Sequence, residues 1–124
     1  MSFDWNKFRE VAERLRQETD EAALRTAISR VYYAAYWRAR KFLETENFVF
    51  RQFESSHRQV WDEFKQRGRT YYGIGKAGDA LRENRVEADY FDEIEDLDKA
   101  VEDSFKLFEK VVYYVEQIEK KQTN

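Results

Sequence analysis

Residues 97–118, LDKAVEDSFKLFEKVVYYVEQI, show the clearest periodicity in the chain. Apolar side chains return there every three or four residues, at Leu97, Val101, Phe105, Phe108, Val112, Val115 and Ile118. This spacing places them on one face of an α-helix and leaves the charged residues on the other faces. The sequence therefore predicts a long last helix, from about residue 93 to 120, whose apolar stripe must pack against other helices.

Similar periodicity predicts four more helical segments. They cover residues 4–17, a long stretch from Thr19 or Asp20 to about Thr45, residues 56–67 capped by Ser55 or Ser56, and about 77–88. Residues 46–54, ENFVFRQFE, lie between two of these patterns and are expected to form a loop with buried aromatic side chains.

The stretch 68–78, GRTYYGIGKAG, holds all four glycines of the chain. Glycine is common just past a helix end, so Gly68 is predicted to terminate the third helix. The rest of the stretch is expected to be a flexible loop or a short, weak helix start, with Gly73 and Gly75 as turn residues. It is not a phosphate-binding P-loop, because the GxxxxGK[ST] spacing is absent.

Length and composition predict one domain, residues 1–124, with an all-α fold: an up-and-down bundle of four or five helices. The chain has no Pro and no Cys, and 17% of its residues are aromatic, enough for a real core. Without Cys, disulfides and thiolate metal sites are excluded. No apolar run approaches the length of a membrane span, and the first ten residues lack a signal-peptide core, so a cytoplasmic location is expected. We expect no metal and no cofactor.

Charge is distributed unevenly. The net charge is -3, yet residues 25–82 hold 12 basic and 6 acidic groups, whereas residues 83–103 hold 2 basic and 10 acidic groups. One interpretation is that the acidic block pairs with basic side chains or solvates a helix start. The other is a basic surface for RNA or for an acidic partner.

The predicted second helix carries an unusual face. Polar and aromatic side chains follow one side of it, at Arg25, Ser29, Tyr32, Tyr36 and Arg40, and an adjacent stripe holds Arg30, Tyr33 and Trp37. Arginine and aromatic rings together can stack on bases and bind phosphates, as RNA-binding surfaces do. The alternative is that the rings pack in the core or in a dimer interface.

Residues 81–91, LRENRVEADYF, form a second candidate constellation. Arg82 and Arg85 are one helical turn apart, and Asp89 follows Arg85 by four residues. In one interpretation Arg85 and Asp89 form an intrahelical salt bridge and Tyr90 packs nearby. In the other, Asp89 pairs inward with Arg30, which would fix the helix register.

His57 is the one histidine of the chain. A zinc site needs three or four ligands at known spacings, which the sequence does not provide. Arg51 precedes His57 by six positions, so an arginine and a proton-transferring histidine could act together. The competing interpretation is that His57 is a helix-start residue whose ring bonds to a neighbouring group.

Three of these stretches together resemble the HEPN family of helical domains. RTAISRVYYAAY at 25–36 resembles its second helix, SSHRQVWDEF at 55–64 the segment where a His opens the third helix, and RENRVEADY at 82–90 the signature before the long last helix. The resemblance implies a four- or five-helix bundle that forms a homodimer. It also implies RNA as ligand and, as partner, a small nucleotidyltransferase of the MNT type.

Many members of that family are metal-independent ribonucleases with an Arg, four to six residues and a His before the last helix. Here Ala88 and Asp89 stand where that His is expected, so the resemblance implies a degenerate ribonuclease motif. It implies a cleft made of Arg25, Arg30, Tyr33, Arg82, Arg85, Asp89 and Tyr90. In relatives paired with nucleotidyltransferases a tyrosine near the cleft can be modified, and Tyr90 would be that position.

Three functions are therefore open. The first is a toxin–antitoxin-type protein that binds RNA or a nucleotidyltransferase. The second is an active metal-independent ribonuclease using Arg51 and His57. The third is a dimeric interaction module that docks a partner through aromatic anchors such as Tyr71, Tyr72 or Tyr113.

Overall fold

A computed structural model describes residues 2–123, and that part of the chain folds into five α-helices without a β-strand. The helices are Lys7–Leu15 (α1), Glu21–Thr45 (α2), Ser56–Gln66 (α3), Arg69–Tyr90 (α4) and Leu97–Gln122 (α5). The prediction of an all-α bundle is confirmed. None of these five helices is long and apolar enough to cross a membrane.

Helix α2 is the centre of the bundle, because it packs against each of the other four helices. Its core-facing side chains include four buried alanines, Ala27, Ala34, Ala35 and Ala39. Alanine adds little bulk beyond the backbone, so neighbouring helices can approach α2 closely. The predicted span of this helix, up to Thr45, is confirmed.

The apolar stripe of α5 covers one side of this central helix. Val101, Phe105, Phe108 and Val115 are buried as predicted, whereas Val111 is fully buried in place of its half-exposed neighbour Val112. Val111 fits the stripe because it follows Phe108 by three residues and precedes Val115 by four, the spacing of one helix face.

The connection between α2 and α3 departs from a strictly alternating up-and-down order. The loop 46–54 returns along α2, since Ser56 at the start of α3 accepts a hydrogen bond from the Tyr36 hydroxyl at 2.8 Å. Further along, Phe64 of α3 contacts Phe42 of α2, with ring centres 5.9 Å apart. Helix α3 therefore runs in the same direction as α2, and its first turn lies beside the middle of α2.

Helix α4 corrects the prediction for the glycine-rich stretch. Gly73, Gly75 and Gly78 lie within the helix rather than in a loop. A Cβ atom on Gly78 would lie 2.2 Å from the Trp61 ring, and one on Gly75 would lie 2.6 Å from the Trp61 carbonyl oxygen. These two glycines are therefore needed for the close approach of α3 and α4. Among the four glycines, Gly68 alone has a positive φ, 120°, and it separates α3 from α4 as expected.

The loop 46–54 carries apolar side chains in two environments. Phe48 and Phe50 are half-buried and contact each other edge to face, with centroids 4.9 Å apart. Val49 and Phe53 are exposed. Asn47 and Phe53 have φ values of 64° and 66°, a conformation that a bulky residue such as phenylalanine rarely adopts.

Candidate functional site

The central feature is a cluster of rings around His57. The His57 ring centre lies 5.5 Å from Tyr32, 5.8 Å from Tyr33 and 4.4 Å from Tyr36. Helices α2, α3 and α4 meet here, and α4 contributes two arginines. We call His57, Tyr33, Tyr36, Arg82 and Arg85 the histidine cleft, a name for this group of residues and not for a cavity. Tyr36 and Arg85 are buried, whereas His57, Tyr33 and Arg82 are half-buried.

The start of α3 fixes the position of His57. Ser55 is the N-cap, as predicted, and its hydroxyl accepts a hydrogen bond from the Arg58 backbone N–H. The Tyr36 hydroxyl donates to Ser56 and accepts from Arg40 at 2.8 Å. These bonds attach the first turn of α3 to the middle of α2, so the His57 side chain enters the cluster.

A buried hydrogen-bond chain holds the inner edge of the His57 ring. The Tyr32 hydroxyl lies 2.6 Å from Nδ1 of His57. The indole N–H of Trp61 donates to the same hydroxyl at 3.1 Å. Tyr32 and Trp61 both have 0% of their surface exposed. These two hydrogen bonds therefore connect Trp61 in the core of the bundle, through Tyr32, to His57.

Two arginines of α4 bring positive charge to the cleft. The guanidinium carbon of Arg85 lies 5.4 Å from the centre of the Tyr32 ring and 5.5 Å from that of Tyr33. Arg85 is 8% exposed, and Arg82 is half-buried. The Nε atoms of both are buried and find no hydrogen-bond partner among the described residues. Arg82 also has no carboxylate within 4.0 Å in residues 2–123.

The surroundings keep His57 neutral. Burial, followed by the positive charges of Arg82, Arg85 and Arg40, lowers the pKa of His57 from 6.5 to about 4. Burial also raises the pKa of Tyr32 above its ordinary value of 10.0, so its hydroxyl keeps its proton. At neutral pH the cleft therefore contains neutral His57 and Tyr32 beside arginine cations.

This pKa predicts a pH-dependent stability. Unfolded His57 takes up a proton as the pH falls through 6.5, whereas folded His57 does so only near pH 4. Because the unfolded state binds more protons in that interval, we expect the free energy of unfolding to fall as the pH drops through it. Thermal unfolding of the wild type and of His57→Gln at several pH values measures this contribution.

The His57→Gln variant serves as the reference, since it retains every carboxylate that titrates in the same range. Relative to this variant, the wild type should lose stability between pH 6.5 and 4 and keep it above pH 6.5. Parallel pH profiles of the two proteins would contradict the low pKa of His57.

The Arg25 side chain is bonded to the backbone at the end of α4. Its guanidinium donates to the backbone carbonyls of Ala88 at 3.2 Å, Phe91 at 2.5 Å and Asp92 at 3.0 Å. It also pairs with Glu21 at 2.9 Å. Arg25 therefore satisfies carbonyl groups that the end of α4 leaves without helical partners.

Asp89 pairs with Arg85 at 3.4 Å, which confirms the predicted intrahelical salt bridge. Arg30 reaches Asp89 only through Ser29, whose hydroxyl lies 3.3 Å from Arg30 and 3.3 Å from the Asp89 carboxylate. The Arg30 guanidinium instead stacks at 4.7 Å on Phe8 and at 5.2 Å on Tyr33. The direct Arg30–Asp89 pair is thus replaced by a bridged arrangement.

Arg51 is exposed and pairs with Glu54. Within the described range, neither a hydrogen bond nor an ion pair joins Arg51 to His57. The sequence separation that suggested this pair places Arg51 in the loop, whereas the charges that act on His57 come from Arg82, Arg85 and Arg40.

The remaining tyrosines lie in different environments. Tyr90 is 74% exposed at the end of α4. Tyr72 and Tyr113 are also exposed, whereas Tyr71 is half-buried against Phe42 and Phe64. Tyr71 therefore contributes to the core rather than to a free surface.

The histidine cleft is suited to an anion. Arginine N–H groups and a neutral imidazole N–H can donate to phosphate oxygens, and the half-buried Tyr33 ring can contact a base. Within residues 2–123, His, Asp and Glu side chains do not form a group of three that could hold a metal ion. Nothing in the described arrangement thus points to a metal-binding cleft.

Comparison with protein-family models finds no match for this chain. Comparisons with curated proteins and with solved structures also find none. The resemblance to the HEPN family rests on the three sequence motifs.

Proposed function

We propose that this chain is a HEPN-like protein that binds RNA through the histidine cleft. One observation supports this most: the half-buried Arg82 has no carboxylate within 4.0 Å in residues 2–123, and its charge, with that of Arg85, acts on the His57 ring. The guanidinium of Arg82 is therefore available to an anion that approaches from the solvent side. A phosphodiester has both the charge and the oxygens.

The aromatic surroundings favour a nucleic acid over a simple anion. Tyr33 is half-buried at the cleft, between the Arg85 guanidinium and Arg30 at 5.5 and 5.2 Å. Guanidinium planes that lie over an aromatic ring can themselves stack on bases and hold the adjacent phosphates. The net charge of -3 does not oppose this, because local positive charge at the cleft governs the contact.

Removal of one cation tests the proposal. We expect Arg82→Gln to weaken binding of single-stranded RNA by about tenfold, because a charge-assisted contact is lost. In a plot of the logarithm of the affinity against the logarithm of the salt concentration, the slope should become shallower by about one, the value for one lost phosphate contact. Fluorescence anisotropy of a labelled oligonucleotide over a salt series measures both quantities.

Lys106→Gln is the matched control, since it removes one exposed charge from α5, where Lys106 pairs with Glu102. This variant should bind like the wild type. Equal affinities for the wild type and Arg82→Gln at low salt would contradict the proposed site, and no binding by the wild type would reject RNA as the ligand.

A metal-independent ribonuclease is the second candidate. It is favoured by the position of His57, a group that can transfer protons, beside arginines that can stabilise charge on a phosphorane. In this version Arg82 and Arg85 take the role that the sequence suggested for Arg51. Cleavage of the same RNA in EDTA, abolished in His57→Ala, would select this candidate over binding alone.

A partner nucleotidyltransferase and a homodimer are further parts of the proposal. Exposed aromatic side chains at Tyr72, Tyr113 and Phe53 are available as contacts for either. A nucleotidyltransferase reading frame beside the gene, with co-purification of its product, would support a paired system. The mass in solution, from light scattering, would show whether the chain dimerises.

A further inference from the structure

The Tyr32 hydroxyl has one proton and two neighbours, so its hydrogen bonds can be assigned by elimination. Trp61 Nε1 is a donor only, so the Tyr32 oxygen must accept from it. The tyrosine proton then needs an acceptor of its own. Because Tyr32 is completely buried, water cannot supply one, and His57 Nδ1 at 2.6 Å is the one candidate in the described chain.

The opposite arrangement would leave a buried donor unsatisfied. If Nδ1 carried the imidazole proton and donated to Tyr32, the tyrosine O–H would have no acceptor among residues 2–123. An unsatisfied buried donor costs considerably more than a hydrogen bond gains. The Tyr32 proton therefore points to Nδ1, and in neutral His57 the ring proton lies on Nε2.

We infer that Tyr32 is a positioning residue that holds His57 in the Nε2–H tautomer, so that His57 donates a hydrogen bond to a phosphate oxygen and does not act as a general base. This role rests on the proposed function, since the phosphate belongs to the RNA. Nδ1 is occupied by Tyr32, and Nε2, which carries the proton, has no hydrogen-bond partner in the described structure. A neutral His57 thus has no free lone pair for a 2′-hydroxyl proton.

The groups packed around His57 also favour its neutral form. Arg82 and Arg85 from α4 and Arg40 from α2 disfavour a second ring proton by their positive charge. Tyr36 from α2 and Ser56 from α3 are neutral and bond to each other. Neutral His57 is therefore the form that meets the ligand, and it adds a donor without adding charge.

The tautomer can be measured directly in the free protein. With one histidine in the chain, a long-range proton–nitrogen correlation spectrum of ¹⁵N-histidine-labelled protein contains a single ring. At neutral pH we expect the signature of a protonated Nε2 and an unprotonated Nδ1. A protonated Nδ1 would overturn the inference without affecting the RNA-binding proposal.

Removing the hydroxyl tests the role of Tyr32. In Tyr32→Phe the ring should become a mixture of both tautomers, whereas Tyr71→Phe, a half-buried tyrosine against Phe42 and Phe64, should keep the wild-type spectrum. An unchanged His57 spectrum in a folded Tyr32→Phe protein would overturn the inference. Should that variant fail to fold, the wild-type spectrum still decides the tautomer.

A replacement that keeps the outward donor but cannot take up a proton tests the role of His57 toward the ligand. Glutamine at position 57 can accept from Tyr32 with its oxygen and donate outward with its amide nitrogen, but it cannot take up a proton. We expect His57→Gln to bind single-stranded RNA within about threefold of the wild type and His57→Ala to bind about tenfold more weakly. Equal weakening in both variants would overturn the donor role.

The two levels of the proposal fail separately. If the wild type has the expected tautomer but does not bind RNA, the proposed function is rejected, and with it the role of His57 toward phosphate. If RNA binds and is cleaved in EDTA with loss of cleavage in His57→Gln, binding stands and His57 acts as a base, which overturns the inference.

Discussion

Gly78→Ala is expected to lower the free energy of unfolding by about 3 kcal/mol, a typical cost of overpacking a core. The new Cβ would lie 2.2 Å from Cε3 and 2.3 Å from Cδ2 of Trp61. The Trp61 ring is completely buried and is held by its bond to Tyr32, so it cannot move aside cheaply. Urea unfolding followed by circular dichroism measures the change.

Gly73→Ala is the matched control in the same helix. A Cβ atom on Gly73 would have no neighbour within 4 Å. Alanine has the higher helix propensity, so this variant should be more stable than the wild type by about 1 kcal/mol. Destabilisation of similar size in both variants would contradict the packing of α4 against α3.

Arg25→Ala should be the second strongly destabilising change, by about 2 kcal/mol. The guanidinium donates to the carbonyls of Ala88, Phe91 and Asp92, and charge-assisted bonds of this kind contribute more than neutral ones. Without them the end of α4 and the turn into α5 lose their connection to α2. The same urea titration gives the change in stability.

Two further variants show whether the charge of Arg25 or the geometry of its guanidinium stabilises the end of α4. Arg25→Lys keeps the charge but cannot spread its donors over three carbonyls, so it should recover less than half of the loss. Arg14→Ala removes an exposed arginine of α1 and should change the stability by less than about 0.5 kcal/mol. Full recovery by lysine would show that charge alone holds the end of α4.

Periodicity was sufficient to predict most of the fold. The stripes of α2 and α3 predict their spans because each buries one face against neighbours, whereas α5 begins at Leu97 and not near residue 93. The sequence predicts only the second half of α4, about residues 77–88, because the glycines of the first half disfavour a helix in isolation. Gly75 and Gly78 lie where α3 approaches, and a local sequence pattern does not show where Trp61 packs. The packing of the tryptophan outweighs the low helix propensity.

The candidate site was predicted in pieces rather than as a whole. His57, Arg82 and Arg85 were each singled out from the sequence, but His57 was matched with the nearby Arg51. Sequence distance favoured that pair, whereas the loop 46–54 returns along α2 and turns His57 toward α4. The spacing along α2 places Tyr32, Tyr36 and Arg40 on one face, but their contact with His57 depends on that return and is not indicated by any spacing.

The central position of α2 has a consequence for how the chain unfolds. The hairpin of α3 and α4, and helices α1 and α5, would each lose a large apolar contact if α2 were released. No fragment lacking α2 would keep a closed core, so we expect the release of α2 to open the whole bundle. Amide protons in the middle of α2 should accordingly be among the slowest to exchange with solvent.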